Sequence, residues 1–278
     1  MNKLELQKIA NEVRRGVIVS THSAKAGHPG GSLSAADVIT YLYFKEMNID
    51  PKDPQKPDRD RFVLSKGHSA PALYAALAHR GFFPVEDLLT LRRIGSYLQG
   101  HPDMKRVPGV DMSTGSLGQG VSAAVGMAKA GKVCGDDYRV YTLLGDGEIE
   151  EGQVWEAAMF AGFHELDNLV VMIDNNNLQI DGSIDTVCSP YPIEEKFEAF
   201  KFHVITIDAH DFDQIEAAFK EARETKGKPT AIILKSIKGK GVSFMENEVE
   251  WHGVAPNDEE CKRALEDLDK VGEALCQK

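Results

Sequence analysis

"YRVYTLL" (138–144) followed by "GDGEIEEGQVW" (145–155) is an apolar run, a glycine turn and the start of a helix, with Asp146, Glu148, Glu150 and Glu151 crowded together. A glycine turn between a strand and a helix ordinarily cradles a phosphate, because backbone amides and a helix amino terminus attract anions. Carboxylates at that spot repel one. Neither common nucleotide motif fits. G-x-G-x-x-G needs glycine where Glu150 stands, and "GKG" (239–241) runs into Val242 instead of Ser or Thr. A surface Asp-Gly turn, its acids favoured by about 0.3–1 kcal/mol each at a helix amino terminus, accounts for these letters equally well when they are read alone.

The next apolar run decides between the readings. "NLVVMID" (168–174) leads into "NNNL", which puts Asn176 thirty positions after Asp146. That is the length of a strand end, a crossover helix and a neighbouring strand, so in a parallel sheet both side chains stand on adjacent loops at one edge. Mg²⁺ takes hard oxygen ligands and is commonly held by one or two carboxylates plus phosphate oxygens. Asp146, the Asn176 amide oxygen and a backbone carbonyl just beyond, assigned to Leu178, supply three positions. The turn is acidic because a cation stands between it and a diphosphate.

Similar β-rich runs are "RFVLS" (61–65), "FHVITID" (202–208) and "TAIILKS" (230–236), with helical stretches between most of them. Apolar strands alternating with helices predict an α/β fold: a doubly wound, mostly parallel sheet with helices on both faces and ligands at the strands' carboxyl ends. Residues 1–60 read as a helical lead-in. It comprises an amphipathic helix with Leu6, Ile9, Val13 and Val17 on one face, a second helix with Ser34 and Asp37 placed as a capping box, and a proline-rich surface loop (50–61). In "GSLGQGVSAAVGMAKAG", Gly118, Ser122 and Gly126 form one small face and Gly120, Ala124 and Ala128 another, which predicts close backbone packing. The tail from about 256 to 278 reads as a polar, acidic helix that packs loosely, and the whole of 1–278 as one domain.

The chain has 278 residues, 42% hydrophobic and 27% charged, enough for a sizeable core. Its formal charge of −11 and lack of Lys/Arg clusters argue against nucleic acid or an anionic membrane as a partner. No apolar run approaches the roughly 20 residues of a membrane span. Four scattered cysteines without C-x-x-C spacing argue against a zinc site or disulfide framework and for a reducing, cytoplasmic setting.

Of nine histidines, His28, His68 and His101 each follow a glycine and His252 precedes one; chance gives fewer than one Gly-His pair at this composition. These are irregular backbone sites that present imidazoles. His22, His79, His164, His203 and His210 read as surface or structural residues.

GDG, then about 27 residues, then NN resembles the thiamine diphosphate and Mg²⁺ motif. "AKAGHPGGSLSAADV", "LSKGHSAPALYAAL", "GHPD", "STGSLGQG" and "WHGVAP" are all similar to the amino-terminal, diphosphate-binding domain of transketolase, in order and over almost the whole chain. The resemblance implies thiamine diphosphate with Mg²⁺, or another divalent cation such as Ca²⁺ or Mn²⁺, as cofactors. It implies that Gly145, Asp146, Gly147 and Asn176 surround the metal and diphosphate, that His68 and His252 contact the diphosphate region, and that the backbone at Gly115 and Leu117 contacts the cofactor. His28 and His252 match histidines that take the proton from the ketose C3 hydroxyl, and His101 one that holds the donor near its C1 hydroxyl. Arg92, or its neighbour Arg93, matches an arginine at the substrate channel. Glu151 matches a carboxylate that reaches across the dimer to the glutamate that activates the cofactor, whereas Glu148 and Glu150 match no such role and are assigned to helix amino-terminal electrostatics. Ser116 departs from the proline that many members carry.

Transketolase proper is more than twice as long, and only 26 residues follow His252 here. The resemblance therefore implies the amino-terminal subunit of a split transketolase, paired as α₂β₂ with a separate carboxyl-terminal, pyrimidine-binding subunit. Its reaction is transfer of a two-carbon ketol unit from a ketose phosphate to an aldose phosphate, with a modified or sulfonated ketose as the alternative donor. The α subunit of a 2-oxo acid dehydrogenase shares GDG…N, but "GHPGGS" and "GHPD" point away from it. A non-catalytic binding scaffold has no use for the full set of histidines and acids.

Overall fold

The computed structural model describes residues 1–277. Helices α1 (Lys3–Ala24) and α2 (Pro29–Tyr41) precede strand β1 (Arg61–Leu64) and helix α3 (Ala70–Arg80). Then come α4 (Gln119–Cys134), β2 (Val140–Gly145), α5 (Gly152–Phe163) and β3 (Leu169–Asn175). A short hairpin, β4 (Leu178–Gln179) and β5 (Gly182–Ser183), is followed by α6 (Ile184–Val187), α7 (Ile193–Ala199), β6 (His203–Asp208), α8 (Phe212–Glu224), β7 (Thr230–Lys235) and α9 (Asp258–Cys276). Five strands form one sheet in the order β1-β2-β3-β7-β6, every pair parallel.

Alternation along the strands explains the layers. Phe62, Leu64, Tyr141, Leu143, Val170, Met172, Ile232 and Leu234 pack into one core with α1, α2, α3, α8 and α9. Their neighbours Val63, Val140, Leu144, Val171, Ile173, Ala231 and Ile233 pack into another with α4, α5 and α7. Both faces are thus covered, which is why the central strands read as continuous apolar runs.

Three local expectations need correction. No capping box forms at Ser34, because Pro29 at the first turn starts α2 five residues earlier. Ser34 instead lies inside that helix and donates to Asp174 Oδ2 at 2.6 Å. The tail is not loose: Asn257 caps α9 with a capping box, and Cys261, Ala264, Leu268 and Leu275 are buried. Asn11 of α1 donates its Nδ2 to the Leu268 carbonyl at 2.9 Å. Of the two small faces on α4, one is closely packed. A Cβ on Gly120 would stand 2.6 Å from Ser65 Cα, whereas nothing lies within 4 Å of one on Gly126.

Candidate active site

The carboxyl ends of β2 and β3 pair Gly145 with Asp174, and the chain then turns so that the backbone N–H of Asp146 donates to the Asp174 carbonyl at 3.2 Å. Two buried carboxylates result, with different surroundings. Burial works to raise Asp174, yet the Lys66 ammonium bonded to it and hydroxyls from Ser236 and Ser34 hold it below the usual range. Asp146 has no such cation: among the described residues, no Lys or Arg reaches salt-bridge distance. Its oxygens accept from the N–H groups of Gly147 at 2.9 Å and Asn177 at 2.6 Å, and from Asn175 Nδ2 at 3.2 Å. Burial and the Asp174 charge push it up to about 6.

A buried cation stands opposite. Lys238, 1% exposed, donates to the Leu178 carbonyl at 3.0 Å and lies 2.9 Å from His252 Nδ1. Among the described residues, no carboxylate is in salt-bridge range of it, and burial and the charge of Lys66 lower it to about 8. Lys66, Lys238, Asp146, Asn176 and Leu178 line one cavity of about 280 Å³ together with His28, His68 and His252. A buried anion and a buried cation without counterions, facing one space, fit a divalent cation paired with a diphosphate. Asn176 Oδ1 accepts from the Leu178 N–H at 3.1 Å, which aims the "NNNL" turn into the same cavity.

The four glycine-flanked histidines converge. The His28 ring lies 5.2 Å from His68, 5.7 Å from His252 and 6.5 Å from His101, and His68 stacks on His252 at 5.3 Å. Burial, and then neighbouring cations and imidazoles, draws His28 down to about 4 and His252 to about 3. His68 is lowered well below the ordinary value by burial and Lys66, and His101 is lowered by burial and Arg92. All four are neutral at pH 7 and can accept a proton. His28 Nδ1 is buried and makes no hydrogen bond to protein.

Gly115, at φ +153°, lets the backbone pass against His101: a Cβ there would meet the ring at 3.1 Å. Leu117, Gly145 and Gly147 also line the cavity. Arg92, not Arg93, faces the histidines. Its guanidinium lies over Gly100 and its charge acts on His28 and His101, whereas Arg93 turns to Ser23 Oγ at 2.9 Å. Glu151 is exposed at the amino end of α5.

Glu148 corrects its assignment to helix-end electrostatics. It is 2% exposed and accepts from Ser65 Oγ at 2.5 Å and from the N–H groups of Gly118 and Gly145 at 2.9 and 3.1 Å. It therefore ties the β1 end, the "TGSLGQG" turn and the β2 end together. Nothing in the sequence alone marks Lys66, Lys238 or Asp174. Lys66 stands in "LSKGHS", and Lys238 in "KSIKGKG", which invites only a Walker comparison.

The histidine shifts set a pH dependence with a definite sign. Below about 6.5 the unfolded chain takes up protons that the buried imidazoles refuse until about 4 and 3, so stability drains away as pH falls. Asp146 opposes this in part, since its raised pKa costs stability as pH climbs from 3.8 towards 6. In the cofactor-free chain, Tm is expected to fall between pH 7 and 5, and more shallowly in a His28→Asn/His252→Asn variant. Thermal melts across that range check this, and an equally steep fall in the variant contradicts it.

The sheet, the strand-end acids and the cavity define a diphosphate-binding α/β domain. The family model for the thiamine diphosphate binding domain of transketolase matches residues 6–270. The chain is 48% identical over 270 residues to the 6-deoxy-6-sulfo-D-fructose transketolase subunit SqwG of Clostridium sp. (strain MSTE9), covering 97% of this chain and 98% of that one. It is 42% identical to an apulose-4-phosphate transketolase subunit of Phocaeicola vulgatus, covering 98% and 96%. Among solved structures, transketolase from Campylobacter jejuni superposes with a TM-score of 0.91 at 34% identity, covering 99% of this chain but 46% of that one. The chain belongs to the transketolase family, as a thiamine-diphosphate-binding enzyme of the transferase class. Among the described residues, no helix is long and apolar enough to cross a membrane.

Proposed function

We propose that residues 1–278 form one cofactor-binding unit, the diphosphate-and-metal half of a two-subunit transketolase in the cytoplasm. Asp146, Asn176 and the Leu178 carbonyl hold Mg²⁺ or a similar divalent cation. Lys238, Lys66 and His68 face the diphosphate, and the backbone at Gly115 and Leu117 supports the cofactor. Thiamine diphosphate, when bound, supplies the carbon nucleophile that carries the two-carbon unit. The protein's part is to move protons and orient sugars: His28 and His252, both neutral, accept the donor's C3 hydroxyl proton. His101 holds the C1 end and Arg92 offers a cation at the channel. Glu151 stands where a second, pyrimidine-binding subunit would meet this one, in an α₂β₂ assembly. The carrying observation is the pair of buried charges Asp146 and Lys238, neither in a salt bridge among the described residues, beside four neutral imidazoles.

For the donor, the relatives that align nearly end to end favour the alternative over an ordinary ketose phosphate. Both are named as subunits, and the more similar of the two acts on 6-deoxy-6-sulfo-D-fructose. We assign a sulfonated ketose as donor and an aldose phosphate as acceptor. The test is a donor panel on the assembled enzyme: 6-deoxy-6-sulfo-D-fructose, apulose 4-phosphate and a pentulose 5-phosphate. The sulfonated donor is expected to lead in kcat/KM by roughly tenfold or more, about 1.4 kcal/mol of discrimination. Equal or better use of the pentulose phosphate removes the donor assignment alone. Failure with every donor removes ketol transfer itself.

A further inference from the structure

The loop after β7 that carries Lys238 is gripped from outside the cofactor cavity. The Ile237 N–H donates to His210 Nε2 at 3.0 Å, and His210 Nδ1 lies 2.7 Å from Asp37 Oδ2. Because Nε2 accepts, the imidazole carries its proton on Nδ1 and donates it to Asp37. Asp37 is buried and also receives a fork from Arg14, with Nη1 at 3.1 Å and Nη2 at 2.5 Å. Burial works to raise that carboxyl, but Arg14 and His210 hold it below its usual range, so it stays ionised. Arg14 then turns its Nε to the Lys240 carbonyl at 3.0 Å. The network thus holds the backbone immediately before Lys238 and again two residues after it.

None of the three residues lines the cofactor cavity. They border a separate cavity of about 530 Å³ among α1, α9 and this same loop. Their link to the chemistry runs through Lys238, which touches the Leu178 carbonyl and His252. A bidentate, charge-assisted network is costly to bury and fixes geometry rather than adding net stability. Here the geometry that it fixes is the exit of β7.

We infer that Arg14, Asp37 and His210 form a clamp that sets the position of Lys238, which makes His210 a positioning residue for the diphosphate cavity. The inference rests on the cofactor placement proposed above. A hydrogen bond to a charged group is worth roughly ten- to a hundredfold in affinity, so a misplaced Lys238 is a binding defect large enough to measure.

The experiment measures thiamine diphosphate affinity by calorimetry at saturating Mg²⁺, on the enzyme assembled with its second subunit. His210→Leu is expected to weaken binding at least roughly tenfold. His210→Gln, which can still donate to Asp37 and accept from Ile237, should stay within roughly threefold. In a Lys238→Met background, His210→Leu should cost less than roughly twofold further, because the group that it positions is gone. The same full cost in both backgrounds, or near wild-type affinity for His210→Leu, overturns the inference. Should His210→Leu not assemble, His210→Asn is measured with the same outcomes, since it keeps the donor to Asp37 but is too short to reach Ile237 as well. A wild-type complex that binds no thiamine diphosphate overturns the cofactor placement, and the clamp with it. A wild-type complex that binds, alongside variants that bind equally, overturns the clamp alone.

Discussion

Asp146→Ala is expected to abolish Mg²⁺-dependent thiamine diphosphate binding while leaving the fold in place. The carboxylate is buried, has no Lys or Arg within salt-bridge distance among the described residues, and is pushed up to about 6 by burial and Asp174. Its charge costs the empty protein stability at neutral pH, but its loss also strips Gly147, Asn177 and Asn175 of an acceptor, so the cofactor-free melting temperature should change little. With metal and diphosphate present the balance reverses, because the cation loses its one anionic protein ligand. Breaking one side of a buried charge pair costs about 3–5 kcal/mol, or roughly a hundred- to several-thousand-fold in affinity. Calorimetry with Mg²⁺ and thiamine diphosphate measures the loss, and a thermal melt of the same sample separates it from unfolding. Retained Mg²⁺-dependent binding within about tenfold of wild type would falsify the metal assignment.

The second large effect concerns partnership. The isolated chain, given thiamine diphosphate and Mg²⁺, is expected to transfer no two-carbon units at an enzymatic rate, with activity rising by about a thousandfold or more when the second subunit is added. One side of the site is open in this chain. Leu117 and Ile180 line the cavity yet are 37% and 63% exposed, and Glu151 lies at the surface. Met159, Phe160 and Phe163 form an exposed apolar stripe on the carboxyl-terminal half of α5, the helix that Glu151 precedes. The measurement is native mass spectrometry of the chain purified at its natural level with both cofactors present. A second polypeptide in equal number supports the assembly. A homodimer that turns over without one sinks it.

Much of the fold was legible because a parallel sheet buried on both faces leaves a plain signature: β2, β3 and β7 read as near-continuous apolar runs. Asp146 and Asn176 were legible as a pair for the same reason, since the length between them matches one strand-helix-strand unit. The histidines were legible as Gly-His pairs, but their meeting within 5.2–6.5 Å of His28 depends on four separate segments that no local pattern brings together. Lys238 was invisible for a different reason. A lysine in a polar loop looks solvated, and only tertiary packing brings it to 1% exposure. Glu148 misled likewise, because sequence shows that a carboxylate is present but not that three donors close over it. Ser34 and Asp37 had the spacing of a cap, yet Asp37 belongs to Arg14 and His210 and Ser34 to Asp174.

The contact between Lys238 and the Leu178 carbonyl has a consequence for the order of loading. An ammonium rests on an oxygen that the proposed metal needs, so a cation arriving alone must displace a like charge and leave it without that acceptor. A diphosphate arriving alone meets that ammonium but also the unscreened Asp146. Each ligand removes the obstacle to the other, so their affinities are linked and rise together. Under the proposed placement, such a site would act as a coincidence detector, filling most readily when both are abundant.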